Sequence, residues 1–155
     1  MRLTAFTDYA LRALMRLASE PERTFTTDEI AREFDISRNH LTKVVRELAE
    51  GGFIATQRGA RGGFRLARPA EQITLGEVVK LLEARHAIVE CFRADGGGCI
   101  LTPSCRLKSK LVLAARAFIS ELDRTTLSEC AYPARPAERF HARNFGKPRR
   151  AARQA

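Results

Sequence analysis

The sequence predicts a mainly α-helical protein that carries one short β-hairpin. Apolar residues recur at helical spacing in most segments between residues 7 and 129, whereas residues 53–68 show the pattern of two short strands around a glycine-rich turn. Two short helices joined by a tight turn come directly before this hairpin. The order of elements is that of a winged helix-turn-helix, and a cysteine-bearing loop and a long helix follow it.

Composition limits the possible partners and compartments. The chain has 155 residues and a formal net charge of +9, with the positive excess near its two ends, which favours a polyanionic partner. The four cysteines do not form the pattern of a secreted disulfide framework, and no signal peptide is apparent. Charges interrupt every apolar stretch before it reaches membrane-spanning length. We therefore expect a protein of the reducing cytoplasm that does not enter a membrane.

The helix-turn-helix is predicted from its caps and its periodicity. A first amphipathic helix covers residues 7–19, with Asp8 in its first turn, where the helix dipole favours an acid. A second helix opens at Thr26, which forms a capping box with Glu29. Ser37 is the predicted N-cap of the third helix.

The outer face of the third helix is polar and basic. A helix of this kind, placed second in a helix-turn-helix, is typical of one that enters the DNA major groove, although a merely solvated face is the alternative. The candidate DNA-binding residues on this face are Arg38, Asn39, His40, Thr42, Lys43 and Arg46.

The hairpin supports the interpretation of the third helix. Its predicted strands, Phe53 to Arg58 and Phe64 to Arg68, flank a glycine-rich turn at residues 59–63. Four arginines give this wing positive charge without any acid, which suits contact with phosphates or the minor groove; they are Arg58, Arg61, Arg65 and Arg68. We therefore expect a protein that binds double-stranded DNA and not an enzyme.

A fourth helix, capped by Thr74 and Glu77, leads to a loop with the cysteine spacing C-x7-C-x5-C, formed by Cys91, Cys99 and Cys105. Thiolates bind soft metals, and zinc usually requires closer cysteine pairs, so an iron–sulfur cluster is the preferred ligand. Structural zinc and ordinary buried cysteines remain alternatives. The glycines at 96–98 could bend around a cluster and bring backbone N–H groups near its sulfides.

The longest predicted helix runs from Pro103 to Asp123, with Thr102 as its N-cap, so that Cys105 would lie in the first turn. Its apolar stripe comprises Leu107, Leu111, Ala114, Ala115, Phe118 and Leu122. The rest of the chain has too little apolar surface to cover this stripe. A homodimer would cover it and would suit palindromic DNA, while core packing within one chain is the alternative.

Three regions follow from these patterns. Residues 1–85 form the predicted DNA-binding domain, and residues 86–130 form the cluster loop and the dimerisation helix. Residues 131–155 are basic, rich in proline and without a periodic apolar face, which predicts a disordered tail. Cys130 stands apart from the loop and is interpreted as a spare thiol.

Four stretches in this order carry a resemblance to a known family: MRLTAFTDYALRALMRLA, SRNHLTKVVREL, RGARGGFRLARP and CILTPSCRLK. Over about residues 1–130 the chain resembles the iron–sulfur winged-helix regulators that include NsrR, IscR and RirA. The NsrR branch is the most similar, because it pairs SRNH with FTDYALR and has three cysteine ligands. IscR-type members carry a histidine three residues after the last cysteine, where this chain has Lys108.

The resemblance implies a cluster, 4Fe-4S in preference to 2Fe-2S, held by Cys91, Cys99 and Cys105 of one subunit and Asp8 of the other. It also implies a dimeric transcriptional repressor that responds to nitric oxide. A regulator of the same family that senses iron or redox state is the first alternative. A cluster-containing electron-transfer protein is the second, although such a protein has no evident need for an arginine-rich wing.

Overall fold

The computed structural model describes residues 3–59, 62–84, 86–93, 95–101 and 104–131. The main elements in chain order are α1 (Ala5–Ser19), α2 (Thr27–Phe34), α3 (Arg38–Glu50), β1 (Ile54–Gln57), β2 (Gly63–Leu66), α4 (Leu75–Glu83) and α5 (Arg106–Leu122). Short 3-10 turns lie at Ala70–Gln72, Glu90–Phe92 and Ser128–Cys130. The predicted class, a mainly α winged helix-turn-helix with a cysteine loop and a long helix, is confirmed.

The helix-turn-helix forms where the caps predict it. Thr26 and Glu29 make both hydrogen bonds of the capping box at the start of α2. Asp35 ends α2 in the left-handed conformation, with φ of 53°, and so turns the chain sharply into α3. Ser37 stands at the N-cap of α3, but its side chain makes no capping hydrogen bond. The start of α3 therefore lacks a side-chain cap of its own.

The core lies where α1 crosses α3 and α4. Small and branched side chains of these helices are excluded from water and pack together; they are Ala10, Ala13, Leu14, Leu17, Leu41, Val44, Leu48, Val78 and Leu82. Arg16 is also buried, and it pairs with Glu33 and Glu20 at 2.9 and 2.8 Å while its guanidinium stacks on Phe25. The helix-turn-helix and the helix that leads to the cysteine loop thus share one core.

The wing is an antiparallel pair in which Ile54 faces Leu66 and Gln57 faces Gly63. Phe25 forms a single antiparallel β-bridge to β2, because its backbone exchanges two hydrogen bonds, of 2.9 and 2.8 Å, with Phe64. A Cβ at residue 63 would lie 2.4 Å from the carbonyl oxygen of Phe25, so glycine is needed for this approach.

Arg68 differs from its expected place in the wing. Its guanidinium lies over the ring of Phe53, donates to the carbonyl of Gln72 and pairs with Glu77 of α4 at 3.2 Å. The reason is local, since a carboxylate, a carbonyl and an aromatic face all lie within its reach. Arg68 therefore joins the wing to α4 and does not add to its outward charge.

The carboxylate of Glu83 fastens the start of α1 to the end of α4. It accepts hydrogen bonds from the Thr4 backbone N–H at 2.8 Å, from the Thr4 hydroxyl at 2.8 Å and from the Thr7 hydroxyl at 2.5 Å. Burial alone would raise the pKa of Glu83, but the hydrogen bonds from Thr7 and Thr4 lower it below its ordinary value. The ionised carboxylate is thus held between the two helices.

The C-terminal end of α5 is anchored to the winged helix. Leu127 is fully buried in the core, and its N–H donates to Ile73 at 2.8 Å. Asp123 pairs with Lys80 of α4 at 2.7 Å, and a Cβ on Gly76 would lie 2.9 Å from the backbone nitrogen of Asp123. This close approach fixes α5 against α4 at one end.

The start of α5 differs from the prediction. The helix begins at Arg106 and not at Pro103, because the chain first makes a turn in which the Ser104 N–H donates to Leu101 at 3.2 Å. Cys105 is accordingly the extended N-cap residue and does not lie in the first helical turn. Thr102 and Pro103 lie outside the described residues.

No residue of α5 is buried, so the alternative that its stripe packs into the core of one chain is wrong. Leu107 and Leu113 are 62% and 58% exposed. Of the predicted basic tail only Ala131 is described, and residues 132–155 lie outside the described ranges. The division of the chain at residue 85 stays a prediction.

The Glu83 contact predicts a specific effect of pH on stability. We expect Thr7→Val to lower the free energy of unfolding by about 1–3 kcal/mol near neutral pH, because the partly buried carboxylate of Glu83 loses a hydrogen-bond donor. Thr7→Ser, which keeps the hydroxyl, is the matched control. Urea unfolding at several pH values measures both.

The sign of the pH dependence follows from the direction of the pKa shift. A carboxyl whose pKa is lowered on folding adds stability above its ordinary pKa and loses it as the pH falls through the lowered value. The difference between Thr7→Val and wild type should therefore shrink in acid. A difference that stays constant with pH would contradict the role given to Glu83.

Candidate nucleic-acid interface and metal centre

The outward face of α3 presents the predicted recognition residues to solvent. All six are exposed: Arg38, Asn39, His40, Thr42, Lys43 and Arg46. This is the geometry required of side chains that enter a groove of DNA, and it follows from the apolar positions of the same helix facing the core.

Some of these side chains already have partners within the chain. Arg38 pairs with Asp28 in the first turn of α2 at 2.7 Å, and Arg46 pairs with Glu50 at 2.7 Å. The Thr42 hydroxyl donates to the carbonyl of Arg38 at 2.9 Å. The exposed ion pairs are weak and easily exchanged for phosphates, whereas the Thr42 bond ties that hydroxyl to its own helix.

One of the predicted recognition residues contacts α1. The ring of His40 stacks against Tyr9, with centroids 6.5 Å apart and an angle of 26° between the rings. Tyr9 is half-buried at the edge of the core, and His40 is exposed.

The wing supplies a second basic surface. Arg58 and Arg65 are exposed on the hairpin, which follows α3 in the sequence. Arg61 lies outside the described residues. Since phosphate contacts position a protein on DNA without reading its sequence, these arginines suit electrostatic anchoring.

The cysteine loop bends back on its own beginning. Gly96 and Gly97 adopt positive φ values of 81° and 59°, and Gly97 passes so close to the Glu90 carbonyl that a Cβ would lie 2.4 Å from it. Cys99 follows two residues after Gly97, while Cys91 is the neighbour of Glu90. The bend thus brings the backbone that precedes Cys99 back to the start of the loop.

The glycine N–H groups are used differently from the expectation. Gly97 donates to Asp95 at 3.0 Å and Gly98 donates to Glu90 at 3.1 Å. Acidic side chains within a tight turn commonly satisfy backbone donors in this way. In this arrangement these two donors serve the loop itself and are not directed at a ligand.

The cysteines suit a soft metal by their chemical type. Cys91, Cys99 and Cys105 are free thiols, each only partly exposed, which makes the alternative of fully buried structural cysteines wrong. Across the described parts of the chain, however, no group of three or more Cys, His, Asp and Glu side chains is close enough to hold a metal ion. The donor set fits an iron–sulfur cluster, and its assembly stays a prediction.

The predicted fourth ligand lies apart, on α1. The carboxylate of Asp8 is 46% exposed and pairs with Arg12 at 2.7 Å, one helical turn away. His86, at the end of α4, is exposed and lies 3.6 Å from Glu83. An open groove of about 670 Å³ runs under the loop, between α4 and α5, and Phe92 and Ile119 contribute to its lining.

Comparison with known proteins identifies the family. Residues 3–132 match the model of Rrf2, described as an iron-dependent transcriptional regulator. The chain belongs to the Rrf2 family. Rrf2 proteins are transcriptional regulators, so this chain is a DNA-binding regulator and not an enzyme.

Individual relatives agree with this assignment. The chain is 44% identical over 130 residues to the HTH-type transcriptional regulator NsrR of Shouchella clausii. The aligned residues make up 83% of this chain and 87% of that protein. The resemblance to NsrR-type Rrf2 regulators is therefore confirmed. No helix within the described residues is long and apolar enough to cross a membrane.

Solved structures share the Rrf2 fold. CymR, the global cysteine regulator of B. subtilis, has a TM-score of 0.67 and 27% identity, covering 84% of this chain and 96% of its own. IscR of T. potens has a TM-score of 0.66 and 22% identity, covering 83% and 85% of the two chains, and shows the fold alone.

Sequence patterns missed two residues that organise this Rrf2 site, Glu83 and Tyr9. A signal existed for Glu83, because an acid at the C-terminal end of a helix opposes the helix dipole and therefore needs local donors. Tyr9 offered no such signal, since its contact with His40 arises only when α1 packs across α3.

The two parts of the DNA interface should respond differently to mutation. Asn39→Ala should weaken binding by about 1–3 kcal/mol and relax the preferred sequence, as expected for loss of a bidentate base contact. Arg65→Ala should weaken binding to all sequences alike and reduce the slope of log affinity against log salt by about 1.

The measurement is a salt titration of binding to a duplex selected by the protein from a randomised palindromic library. Arg124→Ala is the control, because it removes the same charge at an exposed site after α5. If Arg124→Ala changed the salt slope as much as Arg65→Ala does, the effect of Arg65→Ala would come from the loss of net charge and not from a contact made by the wing.

Proposed function

We propose that this Rrf2 protein is a homodimeric repressor that senses nitric oxide through an iron–sulfur cluster, with 4Fe-4S preferred to 2Fe-2S. The cluster ligands are Cys91, Cys99 and Cys105, completed by the partner subunit's Asp8. The observation that carries the proposal is the loop of three free, partly exposed cysteines in a chain that is 44% identical to an NsrR regulator.

Each proposed ligand has a separate part in the chemistry. The three thiolates suit iron by their softness, whereas a carboxylate oxygen is the poorer match. A bound cluster would supply an iron site, at the oxygen ligand, that a small diatomic molecule can reach. Asp8 would exchange an exposed ion pair with Arg12 for this contact, and such pairs contribute little to stability.

The surface of α5 supports a homodimer. None of its residues is fully buried, Leu107 and Leu113 are 62% and 58% exposed, and Ile100 and Leu101, which precede it in the chain, are 92% and 60% exposed. Exposed apolar side chains grouped in this way mark an interaction surface. A second copy related by a two-fold axis would cover the surface and would match the symmetry of a palindromic operator.

The position of Asp8 supports a link between the cluster and DNA binding. Asp8 lies in the first turn of α1, and α1 packs directly on α3, which carries the recognition residues. A bond from Asp8 to the other subunit would thus constrain the distance between the two recognition helices. Loss of that bond would release the constraint.

A response to iron supply is the second candidate, because the matching family is described as iron-dependent. The two candidates differ in the stimulus that ends DNA binding. Nitric oxide added to the intact protein distinguishes the two candidates. A protein that senses only iron should stay bound to its operator until iron is withdrawn.

The cysteine assignment predicts the iron content of four variants. Cys91→Ala, Cys99→Ala and Cys105→Ala should each lose most of the iron and the brown colour after anaerobic purification. Cys130→Ala should keep both, because that thiol lies beyond α5. The iron and sulfide content per chain is measured for each purified variant. Full retention of iron in any of the first three variants would contradict the assignment.

The Asp8 assignment predicts a change in sensitivity to nitric oxide. Asp8→Cys should hold its cluster and resist nitric oxide, because a thiolate binds iron more strongly than a carboxylate oxygen does. Asp8→Ala should lose its cluster readily or bind DNA poorly. Absorbance and binding to the selected duplex are followed together during an anaerobic titration.

Wild-type sensitivity in both variants would show that Asp8 is only an acid placed in the first turn of a helix. Glu71→Ala is a suitable control for charge, since Glu71 is an exposed acid in the first turn of the 3-10 helix Ala70–Gln72. Its cluster should respond to nitric oxide as that of the wild type does.

A further inference from the structure

Three consecutive residues in the first turns of α1 face three different parts of the molecule. Side chains of successive helical residues point about 100° apart. Thr7 is buried and bonds to Glu83 at the end of α4, Asp8 faces outward beside Arg12, and Tyr9 lies against His40 of α3. The residue proposed to bind the cluster thus stands between contacts to the sensor side and to the DNA side.

The contact between Tyr9 and His40 has the geometry of an attractive ring pair. A centroid distance of 6.5 Å with rings inclined by 26° falls within the range in which offset aromatic rings attract each other. Tyr9 is partly buried against the core, so its ring is the better fixed of the two, and His40 is exposed. Tyr9 therefore orients His40.

The start of α3 is sensitive to this contact. The N-terminal residues of a recognition helix are those that approach base edges. Ser37 gives no side-chain cap here, so this end of α3 is held less firmly than a capped helix start. Its contacts with other helices include the weak, exposed Arg38 pair with Asp28 and the ring of Tyr9 on His40.

We infer that Tyr9 is a positioning residue that carries the state of Asp8 to the start of α3 through its ring contact with His40. The inference rests on the proposed function. A ligand bond at Asp8 fixes the backbone that Asp8 shares with Tyr9. The Thr7 bond to Glu83 holds the preceding residue, so a displacement at Asp8 passes towards Tyr9 and is not absorbed at the start of the helix.

The test compares two states of the same full-length protein. Affinity for the selected duplex is measured for the cluster-loaded and the cluster-free form, and their ratio reports the coupling between cluster and DNA. Tyr9→Phe keeps the ring and should keep the ratio. Tyr9→Leu removes the ring and should reduce the ratio by about five-fold or more, with iron content and thermal unfolding close to wild type.

Phe6→Leu is the matched control, because Phe6 is another partly buried aromatic residue of the same helix. It should leave the ratio unchanged. The contact itself can be observed without any cluster, through the proton chemical shifts of His40, one of only three histidines. These shifts should move in Tyr9→Leu and not in Phe6→Leu.

A second variant tests the same contact at an exposed position that does not threaten folding. His40→Ala should lower the ratio by a similar factor as Tyr9→Leu, and the double variant should lower it no further, because both changes remove one contact. Independent, multiplying effects of the two changes on the ratio would overturn the inference.

Two other outcomes would also overturn it. Tyr9→Leu could weaken both forms by one common factor, which would make Tyr9 a support of α3 without a part in signalling. Phe6→Leu could reduce the ratio as strongly, which would make the effect a general one of α1. A wild-type protein whose two forms bind DNA equally would instead reject the proposed function, and no signal would then remain for Tyr9 to carry.

Discussion

The carboxylate of Glu83 is the contact on which the arrangement of this protein depends. Three donors from the start of α1 converge on it, and it lies at the end of α4, from which the cysteine loop emerges. An ionised acid that is partly withdrawn from water needs hydrogen bonds in its place, so separating the two helix ends costs free energy. The DNA-reading core and the root of the cysteine loop therefore move as one body.

The long helix α5 adds a second constraint of a different kind. It is fixed at its C-terminal end by Leu127, by Asp123 and by the close approach of Asp123 to Gly76, while Leu107 and Leu113 in its N-terminal half are exposed. The cysteine loop thus connects one end that is packed against the core to another that is not. A loop in this position can change its shape without disturbing the winged helix.

Much of the fold could be predicted because it is encoded locally. The capping boxes at Thr26 and Thr74 and the helical periodicity fix most helix starts and inward faces. Contacts between distant residues could not be predicted in this way. Thr7 and Glu83 are 76 residues apart, and Leu127 packs into a core whose other residues come from much earlier in the sequence. The same distinction between local and distant contacts holds for the candidate site. The cysteine spacing indicates metal binding from sequence alone, whereas the contact of Tyr9 with His40 depends on how α1 packs on α3.

The pairing of Phe25 with Phe64 has a consequence for the history of the wing. It fixes β2 beside the turn, where Gly63 is also required, and leaves Ala55, Thr56 and Gln57 of β1 exposed. Substitutions at these three exposed positions should therefore cost the folded domain little, whereas Gly63 and Phe64 are constrained by the strand pairing. Regulators built on this scaffold can diverge at the exposed positions of β1, while selection for stability acts on the pairing beside the turn.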